Sequence, residues 1–553
     1  MAATKNWIES TADMVEKEVN RRSEQQGGPI SKIVCASGIS PSGAIHLGNL
    51  REEITVHLVS EELKLRGWTA EHIHSWDDFD RLRKVPANLP AGIGFEAHIG
   101  KPIAEIPDPW GEYPSYAARF KGEFEAAMTE LAIKPRYISQ SAAYRRGDYV
   151  PEIIRAIEQR FAIFDILAEY QTLDHFEKSS GERREEYYPV RVYCEACNKD
   201  DTRVLGYEPS SASISYSCQC GHSGSFSLHE KVPCKLVWKV DWPMRWNKEQ
   251  VIFEPGGEDH AAPGSSYTVG QKIVRDIFGY TAPVFIGYAF VGMGGRSKIS
   301  SSAGTTATPR AALDILEPPM VRWLYVRRDA AQKFNIDFGQ EVLRLYDEWD
   351  TFGSKVLAGK ANEIEKKIYD MSVRTSQGPV HQSTAPVSFR LLSSAADLTQ
   401  GYVDQIVRIA CDQLKQEDTP ELREKMEPRI SCAVRWATQY LPDDERTSIR
   451  PGFAADVYAA LDERYQRGIQ MLLDQLDENW TLDGLTKLVY GIPKVLLGMP
   501  LDAQPTEELK QAQRAFFVAI YTLVCSSETG PRLPTLFLSI GKDRVRQLLG
   551  AAL

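Results

Sequence analysis

A strand, a glycine-containing loop, a helix and a second strand follow one another between residues 32 and 76, and this order constrains the fold more than any other part of the chain. Residues 32–37 (KIVCAS) are mostly apolar and predict a buried strand, and residues 70–76 predict a second one. Four apolar residues between them recur with helical spacing: Leu47, Leu50, Ile54 and Leu58. A β-α-β order places the two strands side by side in a parallel sheet, so the sequence predicts an α/β fold.

A long segment separates this unit from the rest of the predicted sheet. Residues 85–230 contain several prolines and a cluster of cysteines, and we expect them to form an insertion. The sheet should resume at residues 236–240 and 251–254 and end with a strand at residues 284–288. Between the last two strands, one helix face is expected to carry Val269, Ile273 and Ile277. Beyond residue 310 the apolar pattern predicts a predominantly helical region.

Composition limits the class of protein. The chain has 553 residues, of which 43% are hydrophobic and 25% charged, as is ordinary for a soluble globular protein of several domains. No apolar run reaches the ~18 residues of a membrane span, and the start MAATKNWIES lacks the pattern of a secretory signal. The net charge of −10 argues against nucleic-acid binding through a globally positive surface, but not against RNA binding through local basic patches. We expect a cytoplasmic protein with neither a membrane nor a DNA partner.

Four of the nine cysteines are close together in the sequence. Cys194 and Cys197 form one short pair, and Cys218 and Cys220 form a second. Two such pairs are typical of a tetrahedral structural zinc site, and an odd cysteine total with one tight cluster indicates a reducing compartment rather than a disulfide framework. We expect these four cysteines to bind Zn²⁺, with His222 as the alternative to Cys220.

Two loops have the composition of phosphate-binding segments. Residues 41–49 (PSGAIHLGN) lie between the first strand and the first helix N-terminus, where backbone N–H groups and the helix dipole favour anions. Residues 292–302 (GMGGRSKISSS) follow the last predicted strand and contain Arg296 and Lys298, which could neutralise a polyphosphate. Taken alone, the first loop is also typical of a plain helix start, and the second of a flexible linker.

Together the two loops resemble the paired HIGH and KMSKS signatures of class I aminoacyl-tRNA synthetases. The resemblance implies ATP-dependent activation of an amino acid on a Rossmann-type sheet with Mg²⁺, and catalytic roles for His46, Asn49 and Lys298. The implied ATP-binding residues are Pro41, Ser42, Gly43, His46, Gly48, Asn49, Arg296, Lys298, Ser300 and Ser302. Asn49 replaces the final His of HIGH, and Ser301 replaces the second Lys of KMSKS. Arg296 or Lys298 is therefore expected to neutralise more of the pyrophosphate charge.

Longer strings narrow the resemblance to the class I lysyl-tRNA synthetases. They include SWDDFDRLRKVPANLP, LVWKVDWPMRW, FEPGGEDHAAPGSSY and the C-terminal GPRLPTLFLSIGKDRVRQLL, so the resemblance extends over nearly the whole chain. It implies that L-lysine is attached to tRNA(Lys) through a lysyl-adenylate, with tRNA(Lys), L-lysine and ATP as substrates. It also implies a zinc-containing insertion that contacts the acceptor stem and an all-α C-terminal anticodon-binding region.

The same resemblance indicates a lysine pocket. The DDFD string at residues 77–80 follows the second strand, at the edge of the sheet where α/β proteins bind ligands, and its acidic groups suit a cationic substrate. The residues expected to bind lysine are Gly38, Ser40, Asp77, Asp80, Trp238 and His260. A tryptophan face can hold an ammonium group, although tryptophan is also an ordinary core residue. Which acidic residue meets the side-chain ammonium stays open.

These inferences divide the chain into six parts. They are an N-terminal helical leader (residues 1–28), the first half of the catalytic domain (29–100), the insertion (101–230), the second half of the catalytic domain with the KMSKS-like loop (231–305), a helical connecting region (306–378) and the α-helical anticodon-binding domain (379–553).

Three alternative functions share parts of this pattern. Pantothenate synthetases and cytidylyltransferases have a similar first loop, but their chains are much shorter than 553 residues. A synthetase-like RNA-binding paralogue without catalysis would not need the intact His46, Asn49 and Lys298. Another class I synthetase, arginyl or glutamyl, is the third alternative, and the aspartates at residues 77–80 favour a cationic amino acid over glutamate.

Overall fold

The computed structural model describes residues 5–86, 89, 92–170, 183–262, 264–293 and 307–550. The chain forms two compact units. The first comprises Met1–Ala312, Pro318–Ile336 and Lys360–Val380, and the second comprises Leu313–Glu317, Asp337–Gly359 and His381–Leu553. The six-part division drawn from the sequence stays a prediction.

The first unit is a mixture of helices and strands. Its α-helices are α1 (Trp7–Gln26), α2 (Leu47–Leu65), α3 (Tyr116–Glu130), α4 (Gln140–Arg146), α5 (Val150–Glu158), α6 (Arg160–Ala168), α7 (Trp238–Lys248), α8 (Ser266–Ile273), α9 (Pro309–Leu313), α10 (Pro318–Val326) and α12 (Glu363–Val373). Its strands are β1 (Ile33–Ile39), β2 (Ala70–Trp76), β3 (Arg136–Ser139), β4 (Val190–Val192), β5 (Thr202–Glu208), β6 (Ser213–Cys218), β7 (Ser223–Ser227), β8 (Cys234–Leu236), β9 (Val251–Phe253), β10 (Gly256–Gly257), β11 (Gly287–Tyr288), β12 (Val291–Met293), β13 (Phe334–Ile336), β14 (Arg374–Thr375) and β15 (Gly378–Pro379).

A parallel sheet in the order β3-β2-β1-β9 organises this unit. β1 pairs with β2 from Ile33 opposite Ala70 to Ile39 opposite Trp76, and α2 connects the two strands. Nearly every residue of β1 is buried, as expected for a strand that is covered on both faces of a parallel sheet. The predicted β-α-β unit and the α/β fold class are confirmed. Because β1 and β2 end at the same edge, the loops that follow them lie side by side.

The helix before this sheet also matches the sequence pattern. Asn6 caps α1 by accepting a hydrogen bond from Glu9 N, and the Glu9 side chain accepts one from Asn6 N. Gly27 ends the helix with a φ of 70°, a left-handed conformation that glycine adopts without strain. Helix α1 thus occupies most of the segment predicted as a helical leader, whose extent as a domain stays a prediction.

Two of the predicted strands differ from the structure. Residues 236–240 do not form a strand of the parallel sheet, because β8 ends at Leu236 and pairs antiparallel with β4. Helix α7 then begins at Trp238, and its tryptophans recur every four residues at Trp238, Trp242 and Trp246. The last predicted strand, residues 284–288, is broken into a single bridge between Val284 and Phe253 and the short β11.

The segment between the two halves of the sheet contains a separate antiparallel sheet. β5, β6 and β7 pair in that order, and β4 with β8 forms a second small sheet beside them. The four cysteines singled out in the sequence lie at the ends of these strands and in the turns that connect them.

The described part of the second unit is helical, as predicted. Its α-helices are α11 (Glu341–Leu357), α13 (Phe389–Leu398), α14 (Val403–Leu414), α15 (Pro420–Met426), α16 (Arg429–Arg435), α17 (Ala455–Ala459), α18 (Glu463–Asp474), α19 (Leu482–Leu496), α20 (Glu507–Cys525), α21 (Leu533–Ile540) and α22 (Lys542–Leu549). In its core, the rings of Tyr346 and Phe389 stack with centroids 3.7 Å apart, and Arg429 pairs with Glu317 at 2.6 Å.

Among the described residues, no helix combines the length and the apolar character needed to cross a bilayer.

Candidate active site

The first predicted phosphate-binding loop lies between β1 and α2, at the carboxyl edge of the sheet. His46 is the N-cap of α2: its Nδ1 accepts a hydrogen bond from Asn49 N, and Asn49 Oδ1 accepts one from His46 N, both at 3.3 Å. The two side chains therefore lie together at the positive end of the helix dipole. Ser42 is exposed, and its carbonyl oxygen accepts a hydrogen bond from Tyr116 Oη at 3.0 Å.

Gly48 has a specific steric role in this loop. A Cβ atom at this position would lie 2.9 Å from two atoms of the His46 ring, closer than carbon atoms approach in folded proteins. Any larger residue would displace the imidazole from the start of α2. The glycine of the HLGN string is therefore required by the position of His46.

The second predicted phosphate-binding loop is only partly described. Gly292 and Met293 belong to β12, which pairs in parallel with β13. Four predicted ATP-binding residues lie outside the described residues: Arg296, Lys298, Ser300 and Ser302. Their roles stay predictions from the sequence.

Four of the six predicted lysine-binding residues line one small cavity beside the end of β1. The cavity has a volume of about 80 Å³, and the predicted residues among its walls are Gly38, Asp77, Trp238 and His260. Trp238 stacks on Trp242 with centroids 5.3 Å apart, and the Trp242 ring meets His260 edge to face at 5.7 Å. Ser40 and Asp80 do not line this cavity. The structure thus brings together predicted residues from β1, the loop after β2, α7 and the segment after β10.

Two buried glutamates that the sequence analysis did not single out also line this cavity. Glu52 accepts hydrogen bonds from Gly38 N at 2.8 Å and from Tyr288 Oη at 2.6 Å. Glu254 accepts hydrogen bonds from Trp242 Nε1 at 2.9 Å and from Trp246 Nε1 at 2.7 Å. No cation pairs with either carboxylate among the described residues.

Burial strongly affects the protonation of both glutamates. It raises the pKa of Glu52 to about 8 and that of Glu254 to about 7, and the donors that contact each carboxylate offset this only in part. A cation bound in the cavity would lower both pKa values and so favour the ionised form of each carboxyl group. The cavity is therefore chemically suited to a ligand that carries a positive charge.

The two aspartates predicted to bind lysine are already paired with cations. Asp77 Oδ1 accepts a hydrogen bond from Arg245 Nη1 at 2.6 Å, and Asp80 accepts one from the buried Lys235. Arg245 also donates to Asp241, one turn earlier on α7. Arginine stays protonated in proteins, so Asp77 has a permanent partner on the cavity wall. This arrangement leaves Glu52 and Glu254 as the better candidates to meet an incoming ammonium group.

A signal in the sequence could have identified both glutamates. Glu52 follows Asn49 by three residues, so it lies about one helical turn beyond the predicted anion site on α2. Glu254 directly follows β9, at the carboxyl edge where ligands of parallel sheets bind. Their hydrogen-bond partners come from distant parts of the chain, which the sequence alone does not reveal.

The four predicted zinc ligands form a single cluster. One sulfur atom from each of Cys194, Cys197, Cys218 and Cys220 lies within 4.8 Å of all the others, and two of the Sγ–Sγ distances are 3.7 Å. A tetrahedral site with Zn–S bonds of ~2.3 Å places its sulfurs ~3.8 Å apart, so the spacing fits such an ion. The cysteines can therefore hold a metal without rearrangement. His222 is not part of the cluster.

Comparison with known proteins agrees with this geometry. The family model described as tRNA synthetases class I (K) matches residues 5–376. The lysine–tRNA ligase of Streptomyces coelicolor is 43% identical, with 99% of this chain and 98% of that protein covered.

The chain belongs to the class I lysyl-tRNA synthetase family. A second member, the lysine–tRNA ligase of Borreliella burgdorferi, is 31% identical with 99% of both chains covered. Among solved structures, a glutamate tRNA ligase from Elizabethkingia meningosepticum covers 94% of this chain and 98% of its own at 12% identity, with a TM-score of 0.41. Membership in the family rests on the sequence matches.

Proposed function

We propose that the protein attaches L-lysine to tRNA(Lys) with ATP, through a lysyl-adenylate, during translation. The observation that carries the proposal is the cavity beside the stacked ring of Trp238, which holds two buried glutamates, Glu52 and Glu254, that pair with no cation among the described residues. Glu52, in its wall, is on the same helix as the anion site at the start of α2. An ammonium-binding pocket next to a phosphate-binding helix end is what activation of lysine requires. Family membership supports the same assignment.

In the proposed lysine complex, the side-chain ammonium meets the two buried glutamates. Trp238 packs against the aliphatic stem, while Gly38, Ser40 and His260 surround the rest of the amino acid. Glu52 and Glu254 replace Asp77 and Asp80 as the main ammonium partners, because Arg245 and Lys235 already neutralise the aspartates. Asp77 stays close to the ligand as part of the wall.

The proposed nucleotide site uses the start of α2. The two hydrogen bonds between His46 and Asn49 are 3.3 Å long and therefore weak, so phosphate oxygens can take over these donors without a large cost. We assign ATP contacts also to Pro41, Ser42, Gly43 and Gly48, and to the four residues of the second loop given above. Mg²⁺ bound with ATP would neutralise part of the phosphate charge.

The proposed reaction has two steps. The lysine carboxylate attacks the α-phosphorus of ATP in line, which forms the mixed anhydride of lysyl-adenylate and releases pyrophosphate. The 2′-hydroxyl of the terminal tRNA ribose then attacks the adenylate carbonyl and displaces AMP. In the first step, Lys298 and the helix end at His46 stabilise negative charge that shifts onto the departing pyrophosphate. We place anticodon recognition in the helical C-terminal region, and we expect the reaction to occur in the cytoplasm.

ATP–pyrophosphate exchange with each of the twenty amino acids tests this proposal. We expect exchange to depend on lysine and to be far slower with the other amino acids, glutamate included, because glutamate would bring a third carboxylate to Glu52 and Glu254. Charging of tRNA(Lys) transcripts is the second readout. Exchange driven by another amino acid, or none at all from folded enzyme, would contradict the proposal.

The cysteine cluster is proposed to hold one structural Zn²⁺ ion. We expect one zinc per chain in protein purified without chelators, and well below one in the Cys194→Ser variant, because a closed set of four thiolates holds the metal. Metal analysis by mass spectrometry measures the ratio. Cys411→Ser, which changes a buried cysteine outside the cluster, is the matched control and should keep its zinc. Equal zinc in both variants would show that the metal binds elsewhere.

A further inference from the structure

A second cavity lies at the edge of the sheet opposite the lysine pocket. Its walls include Ala70, Glu71 and His72 at the start of β2, and Arg136 at the start of β3. The C-terminal half of α2 and the β14–β15 hairpin close its other sides. The cavity has a volume of about 340 Å³ and shares no residue with the lysine pocket.

His57 presents a hydrogen-bond donor at this cavity. The residue is only 5% exposed, and its Nε2 lies 3.0 Å from Nη1 of the buried Arg322. A guanidinium can only donate, so Nε2 must accept and the proton of the neutral imidazole must be on Nδ1. Burial and the neighbouring Arg322 lower the pKa of His57 well below its usual value, which keeps the ring neutral. The Nδ1–H group has no partner among the described residues.

The charges around the cavity leave a cation without a counterion. Lys64 pairs with Glu61 at 2.8 Å, and Glu61 also accepts a hydrogen bond from Ser376 Oγ. Arg136 lies between Glu71 and Glu249, 3.0 Å from a carboxylate oxygen of each. Lys134 is exposed and makes no ion pair within the described residues. The two acidic residues of the lining are thus neutralised, and the cavity has a net positive charge.

We propose that this cavity binds a small phosphomonoester, anchored by its phosphate group. Three residues of its lining carry donors, the His57 Nδ1–H and the ammonium groups of Lys64 and Lys134, and a phosphate has three terminal oxygens that can accept from them. With a volume of about 340 Å³, the cavity has room for more than the five heavy atoms of inorganic phosphate. The lining also includes Ala70, Ala132 and Pro135, which can contact an uncharged body on the ligand.

Calorimetric titration of the full-length protein tests this site. The catalytic pocket is first saturated with a non-hydrolysable lysyl-adenylate analogue, so that the probes meet only other sites. The probes are AMP, inorganic phosphate and adenosine. We expect saturable binding of AMP and none of adenosine, because the phosphate supplies the anchoring charge. If inorganic phosphate bound as tightly as AMP, the phosphate that the site binds would come from the free ion and not from a phosphomonoester.

Lys134→Met identifies the site, and Lys487→Met is the matched control on an exposed lysine of α19. We expect AMP affinity to fall at least tenfold in Lys134→Met and to be unchanged in Lys487→Met, since a charged hydrogen bond is lost only in the first. Lysine-dependent exchange should be normal in both variants. Equal AMP binding by the two variants, absence of saturable binding, or a raised KM for tRNA in Lys134→Met would each overturn the proposal.

Discussion

Replacing Glu52 with glutamine should raise the KM for lysine ~10–150-fold, because a charged hydrogen bond to a buried group contributes about 1.5–3 kcal/mol. The amide keeps the shape of the side chain and can still accept from Gly38 N. The KM for ATP should change little, since the predicted nucleotide contacts are on other residues. Exchange kinetics with lysine and ATP varied separately measure both values.

The pH profile gives an independent readout of the same variant. In the empty pocket the pKa of Glu52 is raised to about 8 by burial, so near pH 6 the carboxyl is protonated. The side-chain amine of lysine, with a pKa of ~10.4, stays cationic over this range. Binding therefore releases a proton at low pH, and kcat/KM for lysine should increase as the pH rises toward about 8 and then level off. Glu52→Gln should flatten much of this increase.

The matched control is Glu62→Gln on the same helix. Glu62 is also buried, but it pairs with Arg66 and does not line the lysine cavity. Its replacement should leave the KM for lysine and the pH profile unchanged. Similar lysine kinetics in the Glu52 and Glu62 variants would contradict the assignment of Glu52 to the ammonium group.

Replacing Lys298 with alanine should lower kcat for lysine activation by roughly 10²–10³-fold, the usual effect of removing one group that stabilises transition-state charge. The ammonium is proposed to act on charge that develops as pyrophosphate leaves, so the KM for lysine should change little. Single-turnover measurement of adenylate formation isolates this step.

Lys487→Ala, on the exposed surface of α19, is the control for the loss of a positive charge. It should retain full activity in the same measurement. If Lys298→Ala kept a normal rate of adenylate formation, Arg296 would be the better candidate for the pyrophosphate contact, and the assignment of Lys298 would be wrong.

The sequence predicted those parts of the fold that depend on local patterns. β1, α2 and β2 follow directly from their apolar spacing, and the parallel pairing of the strands follows from the helix between them. Residues 236–240 were assigned wrongly, because a short apolar and aromatic run fits a strand and a helix equally well. Packing of Trp238, Trp242 and Trp246 on one helix face decides between the two.

The lysine cavity shows a different limit of sequence analysis. The acidic string at residues 77–80 was conspicuous, yet Arg245 and Lys235, which neutralise its members, are more than 150 residues away in the chain. The positions of Glu52 and Glu254 in the sequence agree with a ligand site, but their suitability depends on burial without a cation, which the sequence does not show. The sequence shows which residues are charged, but not which distant residues neutralise them in the fold. The cysteine cluster was predictable because all four ligands are close in the chain.

Helix α2 carries the proposed contacts for both small substrates. His46 and Asn49 are at its start and Glu52 is three residues further, a separation of ~4.5 Å along the axis at 1.5 Å per residue. The position of the Glu52 contact to the amino acid relative to the nucleotide contacts of His46 and Asn49 is therefore set by the rise and rotation of one helix. Adding a single residue between Asn49 and Glu52 would turn the glutamate by ~100° about the axis, away from the cavity. The length of this helical turn is therefore a geometric requirement of the proposed site.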